Sequence, residues 1–296
     1  MDGAGQQTDP IRECLRERSR WIKDPAGRDI QVFEDQQFLD LATECKTDVG
    51  SLYREALELG IYPLRYIRNR EAISASEQLV LAKSRVGVVG AGGLGGTLIL
   101  LLARVGVGSL VVVDRDAFEE SNLNRQALCN VTALGEAKAR EAARVVAGVN
   151  PGVRVLSHDI ALNRENGPLV LEGSQIIVDA LDNVPDRLVL EEVASELNVP
   201  LVHGALAGFE GQLMTVFPGD FGLRKLYGEG KGSGESTARP EAVLGVPPFM
   251  PSLIATFQAM EVVKLLLGRG RSMRHTLLHA DLEAGRLDEF AFGTPE

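Results

Sequence analysis

Side chains suited to binding phosphate are concentrated in one short stretch of the chain. Asp114 and Asp116 are closely followed by Asn122, Arg125 and Gln126. Arginine can bind phosphate oxygens and neutralise charge that develops at phosphorus. A nicotinamide-dependent dehydrogenase needs a flat pocket and a proton donor and has no use for such a cluster. The stretch therefore favours triphosphate chemistry over hydride transfer.

Further candidates lie downstream. Lys138 opens a predicted helix, and Asp179 and Asp182 end the predicted strand "QIIVDALD". A carboxylate at a strand end can hold Mg²⁺, which prefers oxygen ligands and phosphate, and open α/β sheets bind ligands at such ends. Taken alone, Asn122 and Gln126 would more readily be turn or helix-start residues, and Lys138 a solvated lysine. It is the joint spacing that favours a shared site.

A glycine-rich turn precedes this cluster, between a predicted strand and a predicted helix. Glycines let the backbone turn sharply and approach phosphates, and the following helix N-terminus attracts an anion. Asp114 ends the next predicted strand, where an acid would meet a ribose hydroxyl. We therefore predict nucleotide binding, with a tight turn that binds no ligand as the alternative. The turn contains Gly90, Gly92, Gly93, Leu94 and Gly95.

The elements that must position these groups alternate between strand and helix from residue 85 onward. Such alternation predicts parallel strands with right-handed crossovers. "GQLMTVF", "HTLLHAD" and "LDEFAF" are typical of later, antiparallel strands, and the Gly- and Pro-rich segment 218–251 is predicted to be a long loop. We predict a Rossmann-like α/β fold: a doubly wound, mostly parallel sheet extended by antiparallel strands.

The segment before this domain has a different pattern. "FLDLATE" and "SLYREALELG" carry apolar residues at helical spacing. Residues 1–62 are therefore predicted to form a helical extension with a packing or interaction role, and residues 63–296 the nucleotide-binding domain.

Composition and charge restrict the class of partner. The 296-residue chain carries a net charge of −10, which disfavours general binding to nucleic acid or to a membrane surface. We find no uninterrupted apolar run of the ~18 residues that span a bilayer, and no signal-peptide pattern. The expectation is a cytoplasmic protein.

The cysteines are too scattered for a metal or disulfide framework. Cys14, Cys45 and Cys129 are odd in number and lack any C-x-x-C pair. The histidines are equally dispersed, and we expect them to be core or surface residues.

Taken together, the motifs resemble those of one family. The ordered strings G-A-G-G-L-G, D-R-D, S-N-L-N-R-Q, G-E-A-K and D-A-L-D-N are similar to those of the ThiF/MoeB/HesA family, the bacterial relatives of ubiquitin-activating enzymes. The resemblance continues through "PLVHGALAGFEGQLMTVF" and "QAMEVVKLLLG" and covers roughly residues 65 to 292.

The resemblance implies an activity. Members of the family bind MgATP and adenylate a carboxylate, usually the C-terminal glycine of a ubiquitin-like sulfur carrier, and release pyrophosphate. It also implies a homodimer in which Arg68, within "RYIRNR", reaches into the partner subunit's site. The implied site residues are Asp114 for the ribose, Asn122, Arg125 and Lys138 for the phosphates, Gln126 in support, Asp182 for magnesium, and Asp116 and Asn183 beside the nucleotide.

One part of the family pattern is missing. Many members hold structural zinc with two C-x-x-C pairs, whereas this chain has no cysteine after Cys129. We therefore expect no four-sulfur zinc site and no cysteine that would carry a thioester in the later crossover loop. Reaction would then stop at the acyl-adenylate or pass to a separate sulfur donor. Two alternatives stay open: a small-molecule or peptide carboxylate as acceptor, and a nucleotide-binding scaffold without catalysis.

Overall fold

The computed structural model describes residues 10–228 and 240–292. Its first part is a small unit of three helices and a three-stranded sheet, in which β1 and β2 are antiparallel and β2 and β3 parallel. The elements are α1 (Pro10–Arg18), β1 (Arg20–Lys23), β2 (Asp29–Phe33), α2 (Asp35–Cys45), α3 (Val49–Glu58) and β3 (Tyr62–Pro63).

The prediction of a purely helical extension was therefore wrong in part. The helices are present, but the strands were not predicted. β1 and β2 have only four and five residues, which is too few for a period of two to stand out among charged neighbours. Their role is clear from the packing, since Val32 and Phe33 of β2 are fully buried in the core of this unit.

The N-terminal unit is joined to the rest of the chain without a break at residue 62. Tyr66, which follows in a 3₁₀-helix (Leu64–Tyr66), belongs to the hydrophobic core of the N-terminal unit. Its hydroxyl accepts a hydrogen bond of 2.8 Å from the Asn150 side chain in the larger domain. Burial raises the pKa of Tyr66 to about 12, so the hydroxyl stays protonated.

The larger domain is built on an eight-stranded sheet with the order β11-β10-β9-β8-β7-β4-β5-β6. The strands from β8 to β6 in this order are parallel, and β9, β10 and β11 extend the sheet with antiparallel pairing. The predicted fold class is confirmed. The strands are β4 (Arg85–Val89), β5 (Ser109–Val113), β6 (Arg154–His158), β7 (Ile176–Asp179), β8 (Leu201–Ala207), β9 (Glu210–Val216), β10 (Thr276–Asp281) and β11 (Arg286–Ala291).

Helices cover both faces of this sheet. One hydrophobic cluster joins alternate strand residues such as Val88 and Val112 to helices α5, α6 and α11, and a second joins Val89 and Val113 to α8. Two buried faces explain why consecutive residues in the middle of the central strands, such as Val88 and Val89, are apolar. The helices are α4 (Ala75–Lys83), α5 (Gly93–Val105), α6 (Lys138–Val149), α7 (Gly167–Val170), α8 (Val184–Glu196), α9 (Leu223–Tyr227), α10 (Pro240–Leu244) and α11 (Phe249–Leu267).

The segment 218–251 is less irregular than its composition predicts. It contains α9 and α10 and the first turn of α11. Leu223 of α9 is fully buried against α8, and this contact explains why so short a helix is held in place. Part of the predicted loop, residues 229–239, lies outside the described residues.

By length and composition alone, α11 could cross a bilayer, although polar residues interrupt its apolar sequence. Half of its most apolar window is buried inside the protein. Ile254 and Val262 of this helix are fully buried in the cluster shared with α5 and the sheet. This is the burial expected of a core helix in a doubly wound fold.

Candidate functional site

A cavity lies at the carboxyl ends of the central parallel strands. It is bordered by the ends of β4, β5 and β7 and by the residues that follow them. β4 and β7 are neighbours in the sheet, and the strand order reverses between them: after β4 the chain continues to β5 on one side, and after β7 it continues to β8 on the other. Open α/β sheets bind ligands at such a point because the diverging connections leave a crevice there.

The floor of the cavity is the glycine turn and the start of α5. Gly90, Gly92, Gly93 and Leu94 line it. Gly90 adopts a φ of +99°, which only glycine tolerates readily. No side chain caps the N-terminus of α5 at Gly92. The backbone N–H groups of its first turn therefore remain able to bind an anion.

Gly95 has a different role from the one predicted. It does not line the cavity, because it lies beneath the turn, where a Cβ atom would be 1.8 Å from the Gly90 carbonyl oxygen. Glycine at this position therefore lets the helix pack closely on the strand and turn.

Two acids and a lysine form one wall of the cavity. Asp114 accepts backbone hydrogen bonds from Ala91 at 2.7 Å and from Asp116 at 2.8 Å. Burial raises the pKa of the Asp114 carboxyl above its ordinary value. The ammonium group of Lys138 lies 3.0 Å from the Asp116 carboxylate, and the Lys138 side chain is almost fully buried. The wall thus holds a positive and two negative groups in fixed positions.

Arg125 and Gln126 lie beside the glycine turn, next to Gly93 and Gly92. The Arg125 guanidinium donates to the Ser121 carbonyl at 2.9 Å and to the Asn124 side chain at 2.8 Å, which holds it at the cavity. The side-chain carbonyl of Gln126 is buried and has no hydrogen-bond partner in this structure. A buried acceptor left unpaired beside a cavity is suited to a ligand's donor.

The third side of the cavity is the start of α8. Asp182 is exposed and lines the cavity with Asn183. Asn183 caps the helix by accepting from the Asp186 backbone at 2.9 Å, and its amide donates to Asp182 at 3.2 Å. Among the described residues, no group of three or more His, Cys, Asp or Glu side chains could hold a metal ion. Asp182 would therefore hold a metal only together with oxygens from a ligand.

Two predicted site residues lie elsewhere. Asn122 is buried but does not line the cavity, since its side chain accepts from the Glu119 backbone at 3.0 Å and so closes the short 3₁₀-helix that positions Arg125. Arg68 is exposed near the C-terminal end of α5. Tyr66, two residues earlier, lies where a Cβ atom at Gly106, the C-cap of α5, would be 2.6 Å from its hydroxyl oxygen. A 13-residue helix is about 20 Å long, so Arg68 lies at the opposite end of α5 from the cavity.

An apolar part of the site was not predicted from the sequence. Ile160, Ala161 and Leu162 follow β6 and line the cavity beside Val113. They are suited to a flat aromatic base. Their position after an edge strand of the parallel sheet was a weak signal, because nothing in the sequence shows which way that loop folds.

Charged residues that were not predicted as site residues also border the cavity. Arg115, Asp186 and Arg187 line the cavity, as does Glu241 of α10. Arg187 is 4% exposed, and its position depends on Asp179 of β7, Tyr227 of α9 and the Leu181 carbonyl. No spacing rule predicts that arrangement.

A scan against protein-family models matches residues 66–295 to the ThiF family. The chain is 42% identical over 219 residues to the SAMP-activating enzyme E1 of Haloferax volcanii, covering 73% of this chain and 80% of that protein. It is 37% identical over 211 residues to the sulfur carrier protein adenylyltransferase of Thermus thermophilus, covering 69% and 77%.

Solved structures with this fold are more distant in sequence. E. coli MccB has a TM-score of 0.66 at 19% identity, covering 77% of this chain and 69% of that chain. MccB determined with ATP has a TM-score of 0.60 at 17% identity, covering 82% and 70%. These likenesses support the fold. The family match and the curated relatives go further, and they establish that the chain is an adenylyltransferase and belongs to the ThiF family.

Proposed function

We propose that this protein uses MgATP to adenylate a carboxylate, and that the carboxylate is the C-terminus of a ubiquitin-like sulfur carrier. One observation carries the proposal: Arg125, Lys138 and Asp182 border a single cavity whose floor is an uncapped helix N-terminus. Cations and free N–H groups suit a triphosphate, and an exposed carboxylate suits the magnesium ion that accompanies it.

Different residues around the cavity would bind different parts of the nucleotide. The apolar side chains after β6 would contact the adenine, and Asp114 would bind a ribose hydroxyl; all of them line the cavity. Gln126 offers its unpaired carbonyl to a nucleotide donor. The N-terminus of α5, Arg125 and Lys138 border the same cavity and would bind the phosphates. Asp182 would hold magnesium, which would supply positive charge beside the pyrophosphate.

The reaction requires no general base. A carboxylate is ionised at neutral pH, so its oxygen can attack the α-phosphorus directly. The new O–P bond forms as the bond to the pyrophosphate oxygen breaks, and the products are an acyl-adenylate and pyrophosphate. Arg125 and Lys138 stabilise the negative charge on the phosphate oxygens. Catalysis then rests on alignment and on charge stabilisation.

The acceptor is proposed from the relatives. The names of the Haloferax and Thermus proteins refer to the activation of SAMP and to the adenylation of a sulfur carrier protein, and each matches this chain over about seven tenths of its length. We extend that acceptor class to this protein. A small-molecule or peptide carboxylate is the alternative acceptor.

We also propose a homodimer in which Arg68 serves the partner subunit's cavity. Arg68 lies near the C-terminal end of α5, whereas the cavity lies at the N-terminal end of that 13-residue helix. This separation supports a role for Arg68 at a nucleotide bound by a second copy rather than at one bound by its own subunit.

Pyrophosphate exchange tests the proposal. The protein is incubated with ATP, magnesium and labelled pyrophosphate, together with a carrier ending in Gly-Gly or with small carboxylic acids. Label should enter ATP only when a suitable acceptor is present. Exchange with small acids and not with the carrier would identify a small carboxylate as the acceptor. ATP binding without exchange under any condition would contradict catalysis.

A further inference from the structure

A buried hydrogen-bonded cluster lies beneath the cavity, and the proposed mechanism does not use most of it. We call it the Tyr227 cluster, and it consists of Asp179, Arg187, His203, Gln212 and Tyr227. Asp179 and His203 are completely buried, and Arg187 is 4% exposed. The five residues come from β7, α8, β8, β9 and α9. So many elements meeting at polar groups indicates a function beyond filling space.

The hydroxyl of Tyr227 lies at the centre of the cluster. It lies 3.1 Å from Arg187 Nη1, 2.7 Å from Gln212 Nε2 and 3.0 Å from His203 Nε2. A guanidinium and an amide nitrogen can only donate, so the phenolic oxygen accepts from both. The hydroxyl then uses its single proton to donate a hydrogen bond to His203 Nε2. The hydroxyl uses all of its hydrogen-bonding capacity.

This arrangement determines the state of His203. Because Nε2 accepts a hydrogen bond from the Tyr227 hydroxyl, the ring carries its own proton on Nδ1, and this N–H donates to Asp179 Oδ2 at 2.7 Å. Arg187 Nε lies 3.6 Å from the same oxygen and balances the charge of Asp179. His203 is therefore a neutral link between Tyr227 and Asp179.

The cluster holds the residue next to Asp182. The backbone N–H of Leu181 donates to Asp179 Oδ1 at 2.9 Å, and its carbonyl accepts from Arg187 Nη2 at 2.6 Å. Both backbone polar groups of Leu181 are thus bound by the cluster. Asp182 follows directly, so the direction of its carboxylate depends on how Asp179 and Arg187 are held.

We propose that Tyr227 and His203 are positioning residues that, by holding Arg187 and Asp179, fix the Leu181 backbone and direct the Asp182 carboxylate at the metal-bound phosphates. The proposal rests on the function proposed above. Tyr227 lies on α9 and does not itself line the cavity. The seating of α9 is therefore coupled to the alignment of Asp182.

The variant Tyr227→Phe tests the hydroxyl while keeping the ring and its contact with the Arg187 guanidinium, which lies 5.7 Å from the ring centre. We expect about a tenfold loss of exchange rate and a several-fold rise in the half-saturating magnesium concentration. The KM for the acceptor should stay unchanged.

The matched control is Tyr53→Phe. Tyr53 is buried, whereas Tyr227 is partly buried; Tyr53 likewise loses a hydroxyl contact, of 2.7 Å to Asp35, but it lies in the N-terminal unit. The Tyr53→Phe variant should lose as much stability as Tyr227→Phe and keep the magnesium dependence of the wild type. Equal kinetics in the two variants would overturn the positioning role.

A double-mutant cycle separates positioning from general damage. His203→Asn keeps a donor for Asp179 but is too short to reach Tyr227. If the two residues act as one link, this variant and the double variant should each lose about tenfold, whereas independent effects would multiply to about a hundredfold. The multiplied loss would count against the link.

A failure of the proposed function is distinguishable from a failure of this inference. If the wild type catalyses no exchange with any acceptor, the proposed function fails. Calorimetric binding of ATP with and without magnesium then tests the positioning role by itself. A smaller gain from magnesium in Tyr227→Phe than in Tyr53→Phe would support it, and an equal gain would overturn it.

Discussion

The cavity is bordered by side chains that are held by neighbours before any ligand arrives. Lys138 lies against Asp116 at 3.0 Å, and Arg125 is held by the Ser121 carbonyl at 2.9 Å. Preorganised charge is worth most in catalysis because nothing has to reorient when the transition state forms. The polar wall of this adenylyltransferase is arranged in that way.

We expect Arg125→Ala and Asp182→Ala each to lower the rate of pyrophosphate exchange by about 10²-fold or more, because each removes a group placed to bind the triphosphate or its magnesium ion. Exchange assays and thermal unfolding of both variants check this. Arg16→Ala, which removes an exposed arginine on α1, is the control and should be fully active. Wild-type turnover in either site variant would remove its assigned role.

The state of His203 can be tested through stability. Burial lowers the pKa of His203 below its ordinary value, with Asp179, Arg187 and Tyr227 facing the ring. Below pH ~6.5 the unfolded chain therefore binds a proton that the folded protein does not. The free energy of unfolding should be highest above that pH and fall as the pH drops, by up to about 1.4 kcal/mol per pH unit from this group.

Urea unfolding at pH 7.5 and 5.5 measures this dependence. Wild type should lose about 1 kcal/mol more than His203→Asn between the two values, since asparagine does not titrate in this range. Carboxylates that do not contact residue 203 contribute equally to both proteins and cancel. Identical losses would mean that folding does not lower the pKa of His203.

At the scale of the element, the glycine turn depends on close contact between strand and helix. Gly95→Ala would place a Cβ atom 1.8 Å from the Gly90 carbonyl oxygen, which is backbone and has little freedom to move. We expect a loss of about 3 kcal/mol or more in unfolding free energy, together with weaker ATP binding because the turn itself is displaced.

The matched control is Gly148→Ala. Gly148 lies in the helix α6 and is exposed, and a Cβ atom added there would meet no other atom within 4 Å. Alanine there should stabilise the protein by about 0.5–1 kcal/mol. Chemical denaturation of both variants measures the contrast, and similar values for the two would contradict the packing role of Gly95.

At the scale of the whole molecule, the N-terminal unit and the cavity lie at opposite ends of the parallel strands. Arg65 donates to the Val149 carbonyl at 2.9 Å, at the C-terminal end of α6. The unit therefore braces the amino-terminal edge of the sheet. It also carries the chain that leads to Arg68, so its position determines where that arginine is presented.

Mixing inactive variants tests the proposed dimer. Arg68→Ala and Asp182→Ala should each be impaired alone. Mixed dimers contain one site with both native residues, so the mixture should recover up to about a quarter of wild-type activity if subunits exchange freely. Exchange assays on the mixture, with Arg125→Ala plus Asp182→Ala as a pair that cannot complement, give the answer. No recovery would count against a shared site.

The sequence by itself was sufficient to predict the parallel core of the sheet and many of the residues that line the cavity. Apolar strands, helical periodicity and the glycine turn are local signals, and local signals survive without knowledge of the fold. Because carboxyl ends of parallel strands share one edge of a sheet, the order of motifs along the chain was enough to place Asp114, Lys138 and Asp182 together.

Only the tertiary structure decided which polar residues face the ligand and which support those that do. Asn122 closes a 3₁₀-helix, Gly95 packs under the turn, and Arg187 enters the cavity from α8. Tyr227 lies 24 residues from His203 and 40 from Arg187 in the chain, yet its hydroxyl is hydrogen-bonded to both. Spacing along a sequence carries no information on such contacts, since they arise where elements from distant parts of the chain pack together.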